Sequence, residues 1–255
     1  MILHIPHSSD IIPKNFRDQI VLSDDDLTAE LFLMTDAFTD ELFADLKATT
    51  VRFPMSRLVV DVERFPDDTM EPMSKVGMGM IYTRTAYGMN LKRTLQPQET
   101  RSLFECYKKH HKMLSKAVRA ELEKYGNALI VDCHSFPNHP LPCDKDQSTP
   151  RPEFCIGTDS FHTPQELIQI ADLGFKKMGY SVGIDQPYEG TLAPMEFYRK
   201  NNSVISIMIE VNRSLYMDEM SGAKKRSFEG TKQHLQTVLC SINKFQQGGA
   251  PIPNT

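Results

Sequence analysis

Ala128-Leu129-Ile130-Val131-Asp132-Cys133-His134 is the stretch on which the fold turns. Four apolar residues, two of them β-branched, run without interruption and then give way to acid, thiol and imidazole. A short apolar run of this kind, bounded by turn signals, reads as a buried strand. It follows Glu99 to Tyr125, an amphipathic helical stretch that stops at Gly126, a residue suited to the left-handed turn that ends helices.

The same alternation extends outward in both directions. Upstream, Ile2 to Pro6 reads as a short apolar strand. Leu27, Leu31, Met34, Phe38, Leu42 and Leu46 predict one helix, and Val51 to Val62 is β-branched and apolar, with Pro54 inside it. Residues 65 to 95, rich in Pro, Gly, Met and Asp, read as a long excursion. Downstream, Pro137 to Pro152 is too polar and proline-rich for regular structure. Thr163 with Pro164 predicts the N-cap and first position of a helix to Met178. Val204 to Val211 is the most strand-like segment, and Lys224 to Phe245 closes the pattern as a helix. Strands alternating with helices of this length predict an α/β fold on a largely parallel sheet. No repeat or internal boundary is visible, so 1–255 is expected to be one domain.

Composition narrows the function. A formal net charge of -4 in 255 residues offers no basic footprint for nucleic acid. The basic cluster Lys108 to Lys112 lies in a helical stretch and reads as a solvated face. Five cysteines are an odd number without CxxC spacing, which suggests neither a disulfide framework nor a thiolate zinc site. No apolar run approaches the ~20 residues that span a bilayer. The chain opens directly in a strand, with no room for a secretory signal before it, and the cytoplasm is the expected location.

Ligands in open α/β sheets collect at the carboxyl ends of strands. Three polar groups stand at such ends: Pro6-His7-Ser8-Ser9-Asp10, Asp132-Cys133-His134-Ser135-Phe136 and Glu210-Val211-Asn212-Arg213. Two imidazoles and a carboxylate suit a catalytic zinc, and a further carboxylate suits a general base. Strand alternation puts Asp132 and His134 on one side with Cys133 on the other, against a Cys133–His134 nucleophile pair. Glu210 shares its side with Ser206 and Met208, away from Ile205, Ile207 and Ile209. Taken singly, each histidine also reads as a hydrogen-bonded structural residue and Glu210 as an exposed or paired acid. Gly77-Met78-Gly79 lacks a third glycine and a preceding strand, so it is a poor phosphate loop. His110 and His111 are adjacent in a helix and cannot both face one metal. His139 and His162 flank polar loops and are expected at the surface.

The assembled residues resemble the N-formylglutamate amidohydrolase family and, through it, the zinc carboxypeptidase-like hydrolases. Ile5-Pro6-His7-Ser8 looks like the family's opening element, and Thr35-Asp36-Ala37 like its aspartate-containing segment. Ser56-Arg57-Leu58-Val59-Val60-Asp61-Val62-Glu63-Arg64 is similar to its SRxxxDxNR signature, with Glu63 in the Asn position. Asp132-Cys133-His134-Ser135 looks like DxHS. Arg151-Pro152, Gln186-Pro187-Tyr188 and Ile209-Glu210-Val211-Asn212-Arg213 continue the resemblance, seven short elements in order.

The resemblance implies a three-layer α/β/α fold with a mostly parallel mixed sheet, like that of the zinc carboxypeptidases. It implies one zinc ion on His7, His134 and a carboxylate: Asp36 is favoured, and Asp10, three residues after His7, is the alternative. Glu210 corresponds to the general base. Arg57 and Arg64 would divide two tasks, clamping a substrate carboxylate and stabilising the oxyanion, unless they pair with Asp61 or Glu63; Tyr188 and Arg151 join them in substrate binding. Asp61 reads as a support that orients an arginine or a histidine. The implied substrate is a small N-formyl or N-acyl amino acid, N-formyl-L-glutamate foremost. Gly190-Thr191-Leu192-Ala193-Pro194 departs from the glycine pair and arginine of the glutamate-specific enzymes, which leaves the acyl amino acid open. The other readings are a metallocarboxypeptidase-like peptidase and a metal-binding protein without catalysis.

Overall fold

A computed structural model describes residues 1–44 and 46–248. Its strands are β1 (Ile2–Ile5), β2 (Thr49–Arg52), β3 (Ala128–Phe136), β4 (Phe154–Gly157), β5 (Val182–Ile184) and β6 (Val204–Asn212). Its helices are α1 (Lys14–Arg17), α2 (Asp24–Met34), α3 (Thr39–Leu42), α4 (Pro97–Tyr125), α5 (Gln165–Lys177) and α6 (Phe228–Gln246). The sheet order is β2-β1-β3-β6-β4-β5. β2, β1, β3 and β6 are mutually parallel, β4 runs antiparallel to β6, and β5 is parallel to β4. The fold is α/β with a mixed central sheet. Among the described residues no helix is long and apolar enough to cross a membrane.

Alternation along the strands builds the two outer layers. Leu3, Ile5, Val131, Cys133, Ile207 and Ile209 face α5 and α6, where Phe175, Leu235 and Leu239 complete one core. Phe154 and Phe175 stack there at 3.9 Å between ring centroids. Ile2, Ile130 and Val204 face the other way, onto Leu114 and Val118 of α4. Along that second face the side chains change from apolar to polar as each strand proceeds. Ile2 is followed by His4, Ile130 by Asp132 and His134, and Val204 by Ser206, Met208 and Glu210. These groups lie beyond the apolar contact with Leu114 and Val118, and of them His4 still meets His110 of α4.

The excursion after β2 covers them instead, anchored by two small cores. Phe53, Val59, Val60, Val62 and Met80 pack on Leu103 and Tyr107 of α4. Leu58, Met78, Tyr82 and Leu91 pack on Leu27 and Met34 of α2. A 3-10 turn over Pro72–Val76 lies within it. Lys92, buried beside the second of these cores, donates to the carbonyls of Leu58 and Tyr82.

Several expectations need revision. The helix expected from Leu27 to Leu46 is two helices, because Thr35 is extended (ψ 132) and Asp36 turns to donate its N–H to the His7 carbonyl at 3.0 Å; Asp45, within that range, lies outside the described residues. The strand expected to Val62 ends at Arg52, and Val59 to Val62 enter a loop core. Thr163 precedes the cap, which is Pro164; its hydroxyl donates to the Ser206 carbonyl and so ties α5 to β6. His162 is buried, with Nδ1 2.7 Å from the Val204 carbonyl oxygen and Nε2 accepting from the Arg199 N–H.

Gly157 shows how the fold reaches the site. A Cβ there would lie 2.2 Å from the Gly190 carbonyl oxygen and 2.3 Å from Met208 Cε. The segment after Gly190 is fixed by Ser206, whose hydroxyl donates to the Leu192 carbonyl, and the Leu192 N–H donates to Asp132. Gly157→Ala is expected to destabilise the protein by about 1–3 kcal/mol, the range for an overpacked interior. Urea unfolding checks this, and an unchanged midpoint would contradict it.

Candidate active site

Asp36 stands at the centre of the site, held in the break between α2 and α3. Its backbone carbonyl accepts from the Thr39 hydroxyl at 2.8 Å, and its N–H is docked on His7. Its Oδ2 lies 3.1 Å from His134 Nδ1 and 3.7 Å from His7 Nδ1, and accepts from the Ser135 N–H at 3.3 Å. Its Oδ1 accepts from Arg213 at 3.2 Å, and Arg213 is itself anchored on the Leu33 carbonyl. Ligand atoms of His7, Asp36 and His134 all lie within 4.8 Å of one another, so these residues could hold a metal ion. Asp10 is exposed and stands outside the group.

Both rings are held from behind by carboxylates. His7 Nε2 is 2.9 Å from Asp61, and His134 Nε2 is 3.2 Å from Asp132 and 3.6 Å from Glu63. An ionised carboxylate only accepts, so the His7 Nε2 bonded to Asp61 carries a proton; His134 Nε2 faces its two carboxylates without a hydrogen bond, and its bonded nitrogen is Nδ1, on Asp36. A neutral His7 ring then turns a bare Nδ1 lone pair toward Asp36. His7 Nδ1 is buried without a hydrogen-bond partner. That lone pair and the Asp36 carboxylate converge in a buried region, where a bound cation would be favoured in addition to the charge that Arg213 brings to Asp36. His134 reports the same demand. Burial opposes its charge, yet Asp132, Asp36 and Glu63 outweigh burial and raise its pKa well above 6.5.

Asp61 is crowded with donors. It accepts from Arg57 at 2.8 Å, from the Tyr82 hydroxyl at 2.5 Å and from the Glu63 N–H at 2.9 Å, with Arg64 Nε at 3.5 Å. Both arginines therefore face Asp61, rather than one alone. Arg57 is further fixed by Nε on the Tyr82 hydroxyl at 3.0 Å. Arg64 keeps 24% of its side chain exposed, against 13% for Arg57.

Glu210 is the in-register neighbour of His134 on β6. It is buried, and its Oε2 has no hydrogen-bond partner. Burial raises its pKa to about 8; His134 pulls the value down and Asp36 pushes it up. On its other side Cys155 of β4 is its register partner, with Sγ on the Tyr188 carbonyl. Arg151 and Tyr188 form one cluster there: Arg151 donates to the Tyr188 hydroxyl at 3.0 Å and to Asp144 at 2.7 Å.

Comparison with known proteins places this geometry in context. The N-formylglutamate amidohydrolase family model matches residues 1–217. The chain belongs to that family. A similar curated protein is an N-formylglutamate deformylase of Pseudomonas putida, 25% identical over 249 residues, covering 94% of this chain and 89% of the relative. A solved N-formylglutamate amidohydrolase from Ralstonia eutropha JMP134 superposes with a TM-score of 0.85 at 21% identity, over 98% of this chain and 94% of that one. A gene product of Agrobacterium tumefaciens aligns with a TM-score of 0.62, also at 21% identity, over 95% and 91%. Family membership makes this chain a hydrolase acting on an amide bond.

Two histidines beside the amidohydrolase site, His4 and His110, escape motif reading. His4, Glu63 and Asp132 come together behind His134. His4 Nδ1 lies 2.8 Å from Asp132 and 3.1 Å from Glu63, and its Nε2 is 2.8 Å from His110 Nε2. Period-two alternation from Ile2 was the available signal for His4, and helical spacing from Leu103, Tyr107 and Leu114 for His110.

The charge on His4 has a measurable consequence. Burial opposes it, but Asp132 and Glu63 prevail and raise its pKa from 6.5 to about 9. Its contribution to stability is therefore complete below pH 6.5 and lost as pH rises through 9. With chelator present, that loss should amount to about 3 kcal/mol. The difference in urea stability between wild type and His4→Gln should shrink by that amount over this window; a difference independent of pH would contradict the assignment.

Proposed function

We propose that this chain hydrolyses the amide bond of an N-formyl or N-acyl amino acid, with N-formyl-L-glutamate the leading substrate. In this reading residues 1–255 form one catalytic domain, and a single zinc ion is held by His7, Asp36 and His134. The observation that carries the reading is the unpartnered His7 Nδ1, turned with His134 Nδ1 onto Asp36, with Asp61 bonded to His7 from behind and Asp132 beside the far nitrogen of His134. That is the outer support typical of metal-bound histidine, and a nitrogen and oxygen donor set suits zinc. A zinc ion in such a site supplies Lewis acidity, polarising an acyl carbonyl and acidifying water.

The chain's own groups supply the rest. Glu210 removes the proton from the attacking water, with one carboxylate oxygen free of any protein partner to receive it. It cycles between carboxylate and acid near neutral pH once a neighbouring cation offsets its burial. The same proton then passes to the departing amide nitrogen, so that N-formyl-L-glutamate yields formate and glutamate. Arg57, rigidly seated on Asp61 and Tyr82, stabilises the negative charge growing on the acyl oxygen. Arg64, less buried and with an Nε lacking a hydrogen-bond partner, clamps a substrate carboxylate. Arg151 and Tyr188, on the far side of Glu210, receive the other end of the substrate.

Glu210→Gln is expected to retain one zinc per chain by atomic absorption while kcat/KM for N-formyl-L-glutamate falls about 10²- to 10⁴-fold. Full activity in that variant would remove Glu210 from the mechanism. Activity of the wild type in the presence of excess chelator would remove the metal.

A further inference from the structure

We propose that His110 and His4 are positioning residues for the metal centre: His110 on α4 holds His4, and His4 holds Asp132 and Glu63 against the back of His134. The inference rests on the reading that His7, Asp36 and His134 bind a metal ion, and it concerns groups three and four contacts away from that ion.

His4 occupies the middle of β1 with no exposed surface, on the face where Ile2 packs. An imidazole in such a place is costly unless both ring nitrogens are satisfied. Carboxylates on Asp132 and Glu63 require a proton on Nδ1. That leaves Nε2 dependent on one group, His110 Nε2 at 2.8 Å. His110 is boxed in turn, with the Phe53 ring edge-on at 5.3 Å between centroids. The arrangement is continuous from helix to metal ligand. Asp132 Oδ1 is shared between His4 at 2.8 Å and His134 at 3.2 Å, and Oδ2 takes the Leu192 N–H at 3.1 Å. With its carboxylate engaged on both oxygens, Asp132 has one orientation and keeps its negative charge beside His134 Nε2.

The same turns of α4 grip the chain on either side of Glu63. The Tyr107 hydroxyl donates to the Arg64 carbonyl at 3.0 Å, and His111 Nε2 bonds the Val62 carbonyl at 2.9 Å. Glu63 and Asp132 are thereby set behind His134 by one helix face. Outer-shell partners of this kind commonly change metal affinity by 10- to 100-fold when removed.

The test is Zn²⁺ affinity by chelator competition, paired with the visible spectrum of the Co²⁺-substituted protein. His110→Phe preserves ring volume but cannot bond His4, and His110→Gln returns an acceptor at the reach of Nε2. His110→Phe should weaken Zn²⁺ by about 10- to 100-fold and shift the Co²⁺ bands, with His110→Gln recovering most of both. His110→Asn, too short to reach His4, should behave as His110→Phe and replaces it should the latter not fold. Unchanged affinity and spectrum in His110→Phe would overturn the proposal, as would equal loss in His110→Phe and His110→Gln, which marks a packing role. Two zinc ions per chain, with one lost in His4→Gln, would also overturn it by making His4 a ligand. Wild-type protein that binds no Zn²⁺ would instead remove the metal reading on which the inference stands.

Discussion

A buried carboxylate facing two imidazoles, each with a second carboxylate at its far nitrogen, is an arrangement that favours a positive charge at its centre. Asp36, His7 and His134 form that arrangement, and most of the surrounding structure serves to maintain it. Asp61 fixes the protonated nitrogen of His7, and Asp132 lies beside the far nitrogen of His134. Arg213, Arg57 and Arg64 balance the acids, so the site concentrates charge without leaving it uncompensated.

The sheet is what makes this possible. Strand alternation sends aliphatic side chains onto α5 and α6 on one face, and the opposite face is free to change character along its length. Near the start of each strand α4 demands Ile and Val; further along, His4, Asp132, His134 and Glu210 take the same face. Parallel registry between β3 and β6 sets His134 beside Glu210. Two groups that chemistry requires together are thus neighbours by hydrogen-bonded pairing rather than by loop conformation, which gives the site a stiff base. The antiparallel β4 then brings Cys155, and behind it Tyr188, to the other flank of Glu210.

Much of this was legible before any coordinates. The run ending at His134 displays its own two faces, and Glu210 stands apart from its isoleucines by the same rule. What was not legible depends on contacts between distant segments. Helical spacing continues from Leu27 to Phe38 and Leu42, yet Asp36 interrupts it because its N–H bonds the His7 carbonyl, an attraction no local pattern records. The resemblance favours Asp36 over Asp10, but residue type alone does not separate them; tertiary packing turns one to solvent and the other inward. β4 and β5 are four and three residues long, too short to show a period. His162 looked like a loop residue because its partners, Val204 and Arg199, are about forty residues away.

The central claim is the place of the cation, and anomalous diffraction from crystals grown with Zn²⁺ measures it directly. The account predicts one strong peak within bonding distance of Nδ1 of His7, Nδ1 of His134 and the Asp36 carboxylate. A peak among His4, Glu63 and Asp132 instead, or none at Asp36, would contradict it.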